Sequence, residues 1–268
     1  MPTRIAAPTG APCWVDLLTS DVDRARDFYC GLFGWTAGDP APEFGGYFMF
    51  LRDGMPIAGG MKADDQAPVS DIWSTYLAVD DAAKTLQSAV AHGGQVVVQP
   101  MPIADLGSMG FLVDAGGAGI GLWQPQQFPG FMTLGEPGTP GWFELCTRDY
   151  DGALTFYREV FGWQTQVTSD TADFRYSTMT EPGTTGGQLA GVMDGSTFLP
   201  EGAPAHWAVY FAVDDADTAV ARVIELGGAV VEPAQDTPFG RLAGVSDATG
   251  GRFRLVAGND ATPAEDAG

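Results

Sequence analysis

Residues 12–35 read PCWVDLLTSDVDRARDFYCGLFGW, and residues 140–163 return the same pattern as PGWFELCTRDYDGALTFYREVFGW. From the first tryptophan to the last, 11 of 22 aligned positions are identical without a gap. A second pair of blocks starts at Trp73 (WSTYLAVDDAAKTLQSAVAHGG) and Trp207 (WAVYFAVDDADTAVARVIELGG) and is identical at 9 of 22 positions. Self-similarity at a fixed distance marks a repeated structural unit, so the chain is a tandem duplication.

Each repeated block predicts a strand followed by a capped helix. After the apolar run that starts at Trp14, Ser20 or Asp21 can accept a backbone N–H bond at a helix start. Apolar residues then recur every three or four positions, which is the period of one helical face, and Gly34 ends the helix. Short β-type runs follow each helix. Each half therefore contains two βαβββ modules, and the whole chain contains four.

The composition describes a folded, acidic protein. Hydrophobic residues make up 45% of the 268 residues, enough for two domains with their own cores. Its 34 acidic and 13 basic side chains give a formal charge of -21, which would repel a phosphate backbone, so we expect no nucleic-acid partner. No apolar run approaches the about 18 residues of a membrane span, and the N-terminus lacks an apolar export segment. We expect no membrane partner and a cytoplasmic location.

The repeat also predicts the domain boundaries. A Pro/Gly-rich segment without a hydrophobic period separates the two halves, as an interdomain linker would. Phe128, Phe131 and Met132 within it could pack on a domain surface. We expect an N-terminal domain (1–126), a linker (127–141), a C-terminal domain (142–260) and a disordered tail (261–268).

The motifs D-x-x-x-A-x-x-F-Y-x-x-x-F-G-W after the first strand and V-D-D after the fifth resemble those of a known superfamily. This is the vicinal oxygen chelate superfamily of glyoxalases, bleomycin-resistance proteins and extradiol dioxygenases. Within it, the chain is similar to the two-domain glyoxalase-like proteins of actinobacteria that are often labelled hydroxylases. The resemblance implies an α+β fold in which four βαβββ modules form two cup-shaped curved sheets. It is compatible with a monomer, in which the two domains form a pseudo-dimer, and with a homodimer.

The resemblance also places three metal-ligand positions in each domain, at the head of strand one, the head of strand five and the last strand. Metal-dependent members use His or Gln, His, and Glu there. The corresponding residues of this chain are Trp14, Trp73 and Gly121 in the first domain and Trp142, Trp207 and Arg254 in the second. None of these side chains is a useful ligand for a divalent cation. We therefore expect no metal. The sequence also lacks the GxGxxG motif of flavin- and nicotinamide-binding proteins, so we expect no other cofactor.

A metal-dependent glyoxalase or dioxygenase with atypical ligands is the alternative. It would need His206 and scattered carboxylates to converge on one ion. His206 precedes Trp207, however, and neighbouring residues of a strand point to opposite faces. On the register that the resemblance implies, His206 should point away from the cup.

Alternation along the strands then gives the expected lining of each cup. In the first cup it consists of Trp14, Asp16, Leu18, Trp73, Thr75, Leu77, Gly119, Gly121 and Trp123. In the second it consists of Trp142, Glu144, Cys146, Trp207, Val209, Phe211, Arg252, Arg254 and Val256. Because related proteins exchange modules, a cup could also combine strands from both halves.

Two interpretations of the tryptophans remain open. They could fill the former metal sites with apolar volume, or they could form the walls of a pocket for a flat aromatic or apolar small molecule. Gly119 and Gly121 remove side chains from the first cup, which favours a ligand there.

Asp16 is the candidate catalytic residue, and the alternative for it is a structural carboxylate bonded to the backbone or to a partner near the rim. An apolar wall would raise the pKa of its carboxyl toward the range of a general acid or base. Glu144 has the same place in the second cup, where an ion pair with Arg254 would keep it ionised. The sequence thus leaves open a binding or resistance protein and a cofactor-free enzyme of secondary metabolism.

Overall fold

The computed structural model describes residues 6–64, 70–180 and 187–258. The tail expected at 261–268 lies outside the described residues. In the first half the elements are β1 (Pro12–Thr19), α1 (Val22–Phe33), β2 (Thr36–Ala37), β3 (Phe48–Arg52), β4 (Met55–Lys62), β5 (Ile72–Ala78), α2 (Ala82–Ala91), β6 (Gln95–Ile103), β7 (Gly107–Val113) and β8 (Gly119–Pro125). In the second half they are β9 (Pro140–Thr147), α3 (Tyr150–Phe161), β10 (Gln164–Asp170), β11 (Arg175–Thr180), β12 (Gln188–Asp194), β13 (His206–Val213), α4 (Ala216–Glu225), β14 (Ala229–Thr237), β15 (Gly240–Ser246) and β16 (Arg252–Ala257).

The strands form two eight-stranded open sheets of the same topology. Their orders are β2-β3-β4-β1-β5-β8-β7-β6 and β10-β11-β12-β9-β13-β16-β15-β14. In each sheet the first strands of the two modules pair antiparallel at the centre. The α+β fold of four βαβββ modules is confirmed, and each sheet takes its strands from one half of the chain rather than combining the two.

Aspartates start all four described α-helices. The side chain of Asp21 accepts a bond from the backbone N–H of Arg24, and Asp81, Asp149 and Asp215 cap the other helices in the same way. A carboxylate at this position satisfies a backbone donor that has no partner within the helix. No helix of the described residues is long and apolar enough to cross a membrane.

The helix sides of the two sheets share one aromatic core. The ring of Phe211 in β13 lies 5.3 Å from that of Trp73 in β5 and 5.1 Å from that of Phe33 in α1. Tyr29 of α1 packs against Phe253 of β16, with their ring centroids 5.6 Å apart. Aromatic pairs at these distances hold the halves together by burial and by ring geometry.

Two hydrogen-bond chains of the same kind cross between the halves. In one, Trp73 Nε1 donates to the hydroxyl of Tyr29, which donates to Asp247 Oδ2, each at 2.8 Å. In the other, Trp207 Nε1 donates to the hydroxyl of Tyr157 at 2.8 Å, and this hydroxyl donates to Asp114 Oδ2 at 2.9 Å. Each chain begins in the sheet of one half and ends on a loop of the other.

Candidate functional site

The pairing of β1 with β5 decides which side chains face the first cup. Trp14 lies opposite Tyr76, and Asp16 lies opposite Ser74. Side chains of paired residues lie on the same face of a sheet, so β5 lines the cup with Ile72, Ser74 and Tyr76. The expectation that Trp73, Thr75 and Leu77 face the cup is therefore wrong: the residue opposite Trp14 comes three positions after Trp73, an odd spacing that puts Trp73 on the helix side.

The second cup repeats this register. Tyr210 lies opposite Trp142, Ala208 opposite Glu144, and His206 opposite Cys146. The expected cup positions of Trp207, Val209 and Phe211 are wrong for the same reason, since all three lie on the helix side. The expected orientation of His206 is wrong as well, because the residue next to a helix-side tryptophan faces the cup.

The last strand of each sheet lies as expected. Gly121 pairs with Tyr76, and Arg254 pairs with Tyr210, which places both on the cup faces. Gly119 and Trp123 share the face of Gly121, and Arg252 and Val256 share that of Arg254.

Asp16 lies at the centre of a polar cluster at the bottom of the first cup. Its Oδ1 accepts a bond from Trp14 Nε1 at 2.8 Å and one from the hydroxyl of Tyr47 at 2.5 Å. Trp14 Nε1 is also 2.8 Å from the Tyr47 hydroxyl oxygen. A Cβ at Gly59 would collide with both the Tyr47 hydroxyl and the Asp16 carboxylate, so the cluster requires this glycine.

The surroundings of Asp16 make it a weak acid for a carboxyl group. Burial raises its pKa from 3.8 to about 6, against the hydrogen bonds from Tyr47, Tyr76 and Trp14 that favour the ionised form. Asp16 still keeps part of its surface open to solvent. The carboxyl is thus poorly solvated and yet reachable.

Glu144 lies in a matching cluster in the second cup. Its Oε1 accepts a bond from the hydroxyl of Tyr210 at 2.8 Å, while Trp142 Nε1 donates to the hydroxyl of Tyr176 at 2.8 Å. Gly191 takes the place of Gly59, since a Cβ there would collide with the Tyr176 hydroxyl. Burial raises the pKa of Glu144, with the Tyr210 hydrogen bond and the nearby guanidinium of Arg254 opposing the shift.

The expected ion pair between Glu144 and Arg254 is not formed. Arg254 instead binds Glu232 of β14 through two nitrogens, at 2.6 and 2.9 Å. Glu232 lies on the edge strand β14. Its side chain reaches Arg254 of β16 over Gly244 of the intervening strand β15, which has no side chain in the way. Arg254 therefore acts on Glu144 only as a nearby positive charge.

Four tyrosines complete the two clusters, and none was among the expected site residues. For Tyr76 and Tyr210 the signal exists, because both are the identical tyrosine of the YLAVDD and YFAVDD repeats. Tyr47 and Tyr176 carry no such signal. They lie 33 and 34 residues after the matching tryptophans, so a gap-free alignment of the halves does not pair them.

Trp14 is enclosed rather than open to a ligand. Its ring is 5% exposed, with the edge of Phe128 at 4.9 Å and the stacked ring of Phe131 at 6.2 Å. Both phenylalanines belong to the segment between the two sheets. Trp123 is fixed there too, since its Nε1 donates to the carbonyl of Phe128 at 2.8 Å. For Trp14 the interpretation as a packed core residue fits, and the ligand surface lies beside it.

The accessible part of the first cup is mostly apolar. Its partly or fully exposed members surround Asp16, Tyr47 and Ser74, and they are Leu18, Met49, Met61, Ile72, Met109 and Phe111. Thioether and aromatic side chains of this kind adapt to flat apolar surfaces. The first cup thus offers a carboxyl and two hydroxyls at the bottom of apolar walls.

Comparison with known proteins follows the same division into halves. The family model of the glyoxalase/bleomycin resistance protein/dioxygenase superfamily matches residues 13–122 and again residues 139–255. The chain belongs to this superfamily. The vicinal oxygen chelate resemblance of the sequence motifs is thereby confirmed.

Two full-length relatives within the superfamily have names that point to different biology. CFP32 of Mycobacterium tuberculosis, provisionally named a glyoxylase, is 39% identical over 261 residues, which covers 96% of this chain and 98% of the relative. The anthracycline biosynthesis protein DnrV of Streptomyces peucetius is 35% identical over 273 residues, covering 95% of this chain and 96% of the relative.

Solved structures of the superfamily share the fold at low sequence identity. The Mn(II)-bound glyoxalase from Novosphingobium aromaticivorans has a TM-score of 0.64 at 16% identity, over 93% of this chain and 82% of that one. The dioxygenase LapB from Pseudomonas sp. KL28 has a TM-score of 0.61 at 15% identity, over 96% and 93%. At these identities the likeness concerns the fold alone.

The residues of the two cups do not fit the metal that such relatives carry. At the positions where the superfamily places metal ligands, the first cup has the Trp14 indole, the side chains of β5 that face the cup, and Gly121. The second cup has Trp142 and Arg254 at the corresponding positions of its first and last strands. An indole N–H and a guanidinium are donors and lack the lone pair that a metal ligand needs. Within 6–64, 70–180 and 187–258, no three His, Cys, Asp or Glu side chains converge to hold an ion, and His206 has no such company.

Proposed function

We propose that the first cup binds a flat aromatic small molecule without a metal, and that Asp16 exchanges a proton with the bound molecule. The observation that carries this proposal is the partly exposed Asp16 carboxyl, whose pKa of about 6 and position among the apolar side chains of the cup face suit a general base. At neutral pH most Asp16 carboxyls are ionised, and this carboxylate is a stronger base than that of an ordinary aspartate because its pKa is higher.

Two tyrosines of the cluster stabilise the ionised base. Burial and the nearby Asp16 charge raise the pKa values of Tyr47 and Tyr76, so both hydroxyls stay protonated and donate hydrogen bonds to the Asp16 carboxylate. Asp16 removes a proton from a carbon that is conjugated with a ketone. The electron pair of the broken C–H bond moves to the carbonyl oxygen, and the proton returns to that oxygen or to another carbon. This is a tautomerisation, and it needs no oxidant, reductant or cofactor.

The relatives support the choice of ligand. The Streptomyces peucetius protein is named for the biosynthesis of anthracyclines, which are flat polycyclic aromatic molecules, and its match covers nearly both chains. We therefore propose a polycyclic aromatic ketone or phenol of secondary metabolism as the ligand class. The flat shape suits the Met, Leu and Phe walls of the first cup.

Anthrone is a suitable probe, because it is flat and apolar and has an exchangeable methylene group conjugated with a ketone. In deuterium oxide, the protein should accelerate hydrogen–deuterium exchange at this methylene, followed by NMR, and the rate should rise through pH about 6 as Asp16 ionises. Asp16→Asn should bind anthrone within about threefold of the parent and lose the acceleration. If Asp16→Asn exchanges as fast as the parent, Asp16 is not the base; if neither protein accelerates exchange while both bind, the protein is a binder only.

The register supplies a matched pair of blocking variants. Ser74 and Ala208 are equivalent positions, each opposite the acid of its own cup. Ser74→Trp should fill the first cup and weaken anthrone binding at least about tenfold, a loss of about 1.4 kcal/mol. Ala208→Trp should leave it unchanged. Equal effects of the two variants would contradict a site in the first cup.

Metal independence has its own test. Anthrone binding, followed by quenching of tryptophan fluorescence, should survive dialysis against a chelator, and elemental analysis of the purified protein should find less than stoichiometric transition metal. One tightly held metal ion per chain, removed together with binding, would contradict the proposal.

A further inference from the structure

The second cup keeps the acid cluster and differs from the first at several wall positions. Strand pairing gives the equivalent positions of the two cups directly. Passing from the first cup to the second, Met49 becomes Thr178, Val98 becomes Glu232, Phe111 becomes Gly244, Gly121 becomes Arg254 and Ile72 becomes His206. Four of these five exchanges put a hydrogen-bonding side chain where the first cup has an apolar side chain or none.

Thr178 carries an unmet hydrogen bond on the cup face of β11. It pairs with Gly191 of β12, which pairs with Glu144, so all three positions lie on the cup side of the sheet. Thr178 is 2% exposed, and its Oγ1 is the single buried side-chain nitrogen or oxygen in the described part of the chain without a partner. A buried hydroxyl left unpaired costs about 1–3 kcal/mol. Such a cost is explained when a ligand supplies the missing partner.

Arg254 and Glu232 form a second group of donors and acceptors. Their bidentate pair lies beside the cup, with the guanidinium over the ring of Tyr210 at 5.6 Å from its centre. Both side chains remain partly exposed, at 26% and 47%. Because Glu232 neutralises Arg254 and the chain as a whole carries a charge of -21, this group suits neutral hydroxyls better than an anion.

Aromatic surface is also more open here than in the first cup. Trp142 is half-buried, where its counterpart Trp14 is enclosed. Phe239, at the turn between β14 and β15, is 56% exposed and stacks on Tyr176 of β11 at 6.0 Å. The turn thus reaches from one edge of the sheet to a strand near the other edge, and it presents an aromatic face at the rim.

We propose that the second cup is a second binding site, for a flat aromatic ring system that carries several hydroxyl groups. The rings stack beside Trp142 and Phe239, and the hydroxyls pair with Thr178, Glu144 and the Arg254–Glu232 pair. Glu144 accepts a hydrogen bond from a ligand hydroxyl, as it does from Tyr210. This site is independent of ligand binding in the first cup.

Quinalizarin, a tetrahydroxyanthraquinone, tests the proposal by fluorescence quenching and calorimetry. Thr178→Val keeps the shape of the side chain and removes the hydroxyl, so it should weaken quinalizarin binding about tenfold. The same variant should raise the midpoint of thermal unfolding in the absence of ligand, because a buried unpaired hydroxyl is gone. Met49→Leu, at the equivalent position of the first cup, is the control and should leave quinalizarin binding unchanged.

Blocking variants separate this site from that of the proposed function. Ala208→Trp should abolish the quinalizarin binding that depends on Thr178, whereas Ser74→Trp should leave one quinalizarin bound per chain with unchanged dependence on Thr178. Unchanged affinity in Thr178→Val, or loss of all quinalizarin binding in Ser74→Trp, would overturn the proposal. If anthrone fails to bind while Thr178→Val weakens quinalizarin binding, the first proposal fails and this one stands.

Discussion

The two cups of this chain have the same bottom and different walls. In both, the acid accepts a hydrogen bond from a tyrosine hydroxyl, a tyrosine hydroxyl accepts one from the tryptophan, and a glycine leaves the space for these side chains. Tyr47 has both roles in the first cup, whereas Tyr210 and Tyr176 divide them in the second. These groups depend on one another, because the rings and the carboxyl occupy the space that the glycine leaves. Wall residues such as Met49 and Thr178 have no such dependence and differ between the cups. The bottom therefore keeps its residue types, with Glu144 in place of Asp16, whereas the walls differ in polarity.

A second contrast concerns the tryptophans that begin the repeated blocks. Trp14 and Trp142 lie on the cup faces, and Trp73 and Trp207 lie on the helix sides. The first pair donates hydrogen bonds within the cups, while the second pair donates into the chains that cross between the halves. The same residue type thus belongs to the candidate sites in one case and to the shared core in the other.

The largest loss of stability is expected when a tryptophan of the shared core is removed. Trp73→Ala should lower the free energy of unfolding by about 3–5 kcal/mol, because it removes a buried indole and leaves the Tyr29 hydroxyl without its donor. Urea unfolding followed by circular dichroism measures this. The half-buried Trp142 is the control, and Trp142→Ala should cost clearly less. A Trp73→Ala variant as stable as Trp142→Ala would contradict the division of roles.

Much of the fold could be predicted from the sequence because it rests on local patterns. The repeats that begin at Trp14 and Trp142 contain a strand, an aspartate cap and an amphipathic helix, each set by residues a few positions apart. The side of the sheet on which Trp73 lies depends instead on how β1 and β5 pair, and this register comes from long-range packing. A shift of one position in the assumed register exchanged Trp73 with Ser74, and Trp207 with Ala208.

The candidate site could be predicted only in part for the same reason. Asp16 was accessible to prediction because it follows Trp14 by two positions in one strand, and alternation alone places both on one face. Tyr47 reaches Asp16 from two strands away, and Glu232 reaches Arg254 across β15. Contacts of this kind depend on the order of strands in the sheet, which the periodicity of the sequence does not contain.

The next effect tests whether the bottom of each cup depends on its glycine. Gly59→Ala should lower the free energy of unfolding by about 2–3 kcal/mol, because the new methyl group displaces the Tyr47 ring and the Asp16 carboxyl from their hydrogen bonds. Gly191→Ala should behave alike in the second cup. Gly38→Ala is the control and should be nearly neutral, since a Cβ there meets its nearest neighbour at 3.6 Å. Chemical denaturation of the three variants gives the comparison, and equal midpoints would refute the dependence.

The pH dependence of stability gives a smaller effect. Since the pKa of Asp16 is raised from 3.8 to about 6 on folding, the folded protein holds this proton more tightly than the unfolded chain does. The free energy of unfolding of the parent relative to Asp16→Asn should therefore fall between pH about 4 and about 6, and stay level above. Partial exposure of the carboxyl reduces the expected change to about 1–2 kcal/mol. A difference that rises with pH would have the wrong sign. Glu144→Gln should show the same direction, because burial also raises the pKa of Glu144.

The smallest effect concerns the segments that cover the two cups. Phe128 packs on Trp14 and Trp123, and the backbone beside it is bound to the turn between β6 and β7, since Phe128 N donates to the Leu106 carbonyl at 3.0 Å. Phe239 belongs to the equivalent turn of the second half and covers Tyr176 with more than half of its own surface exposed.

Phe239→Ala should therefore cost less than about 1 kcal/mol of unfolding free energy, the range of one exposed aromatic pair, while Phe128→Ala costs more. The same Phe239→Ala variant should speed quinalizarin association in stopped-flow measurements, because the turn then closes less of the rim. A large loss of stability in Phe239→Ala would contradict its exposed position, and an unchanged association rate would mean that this turn does not govern access to the second cup.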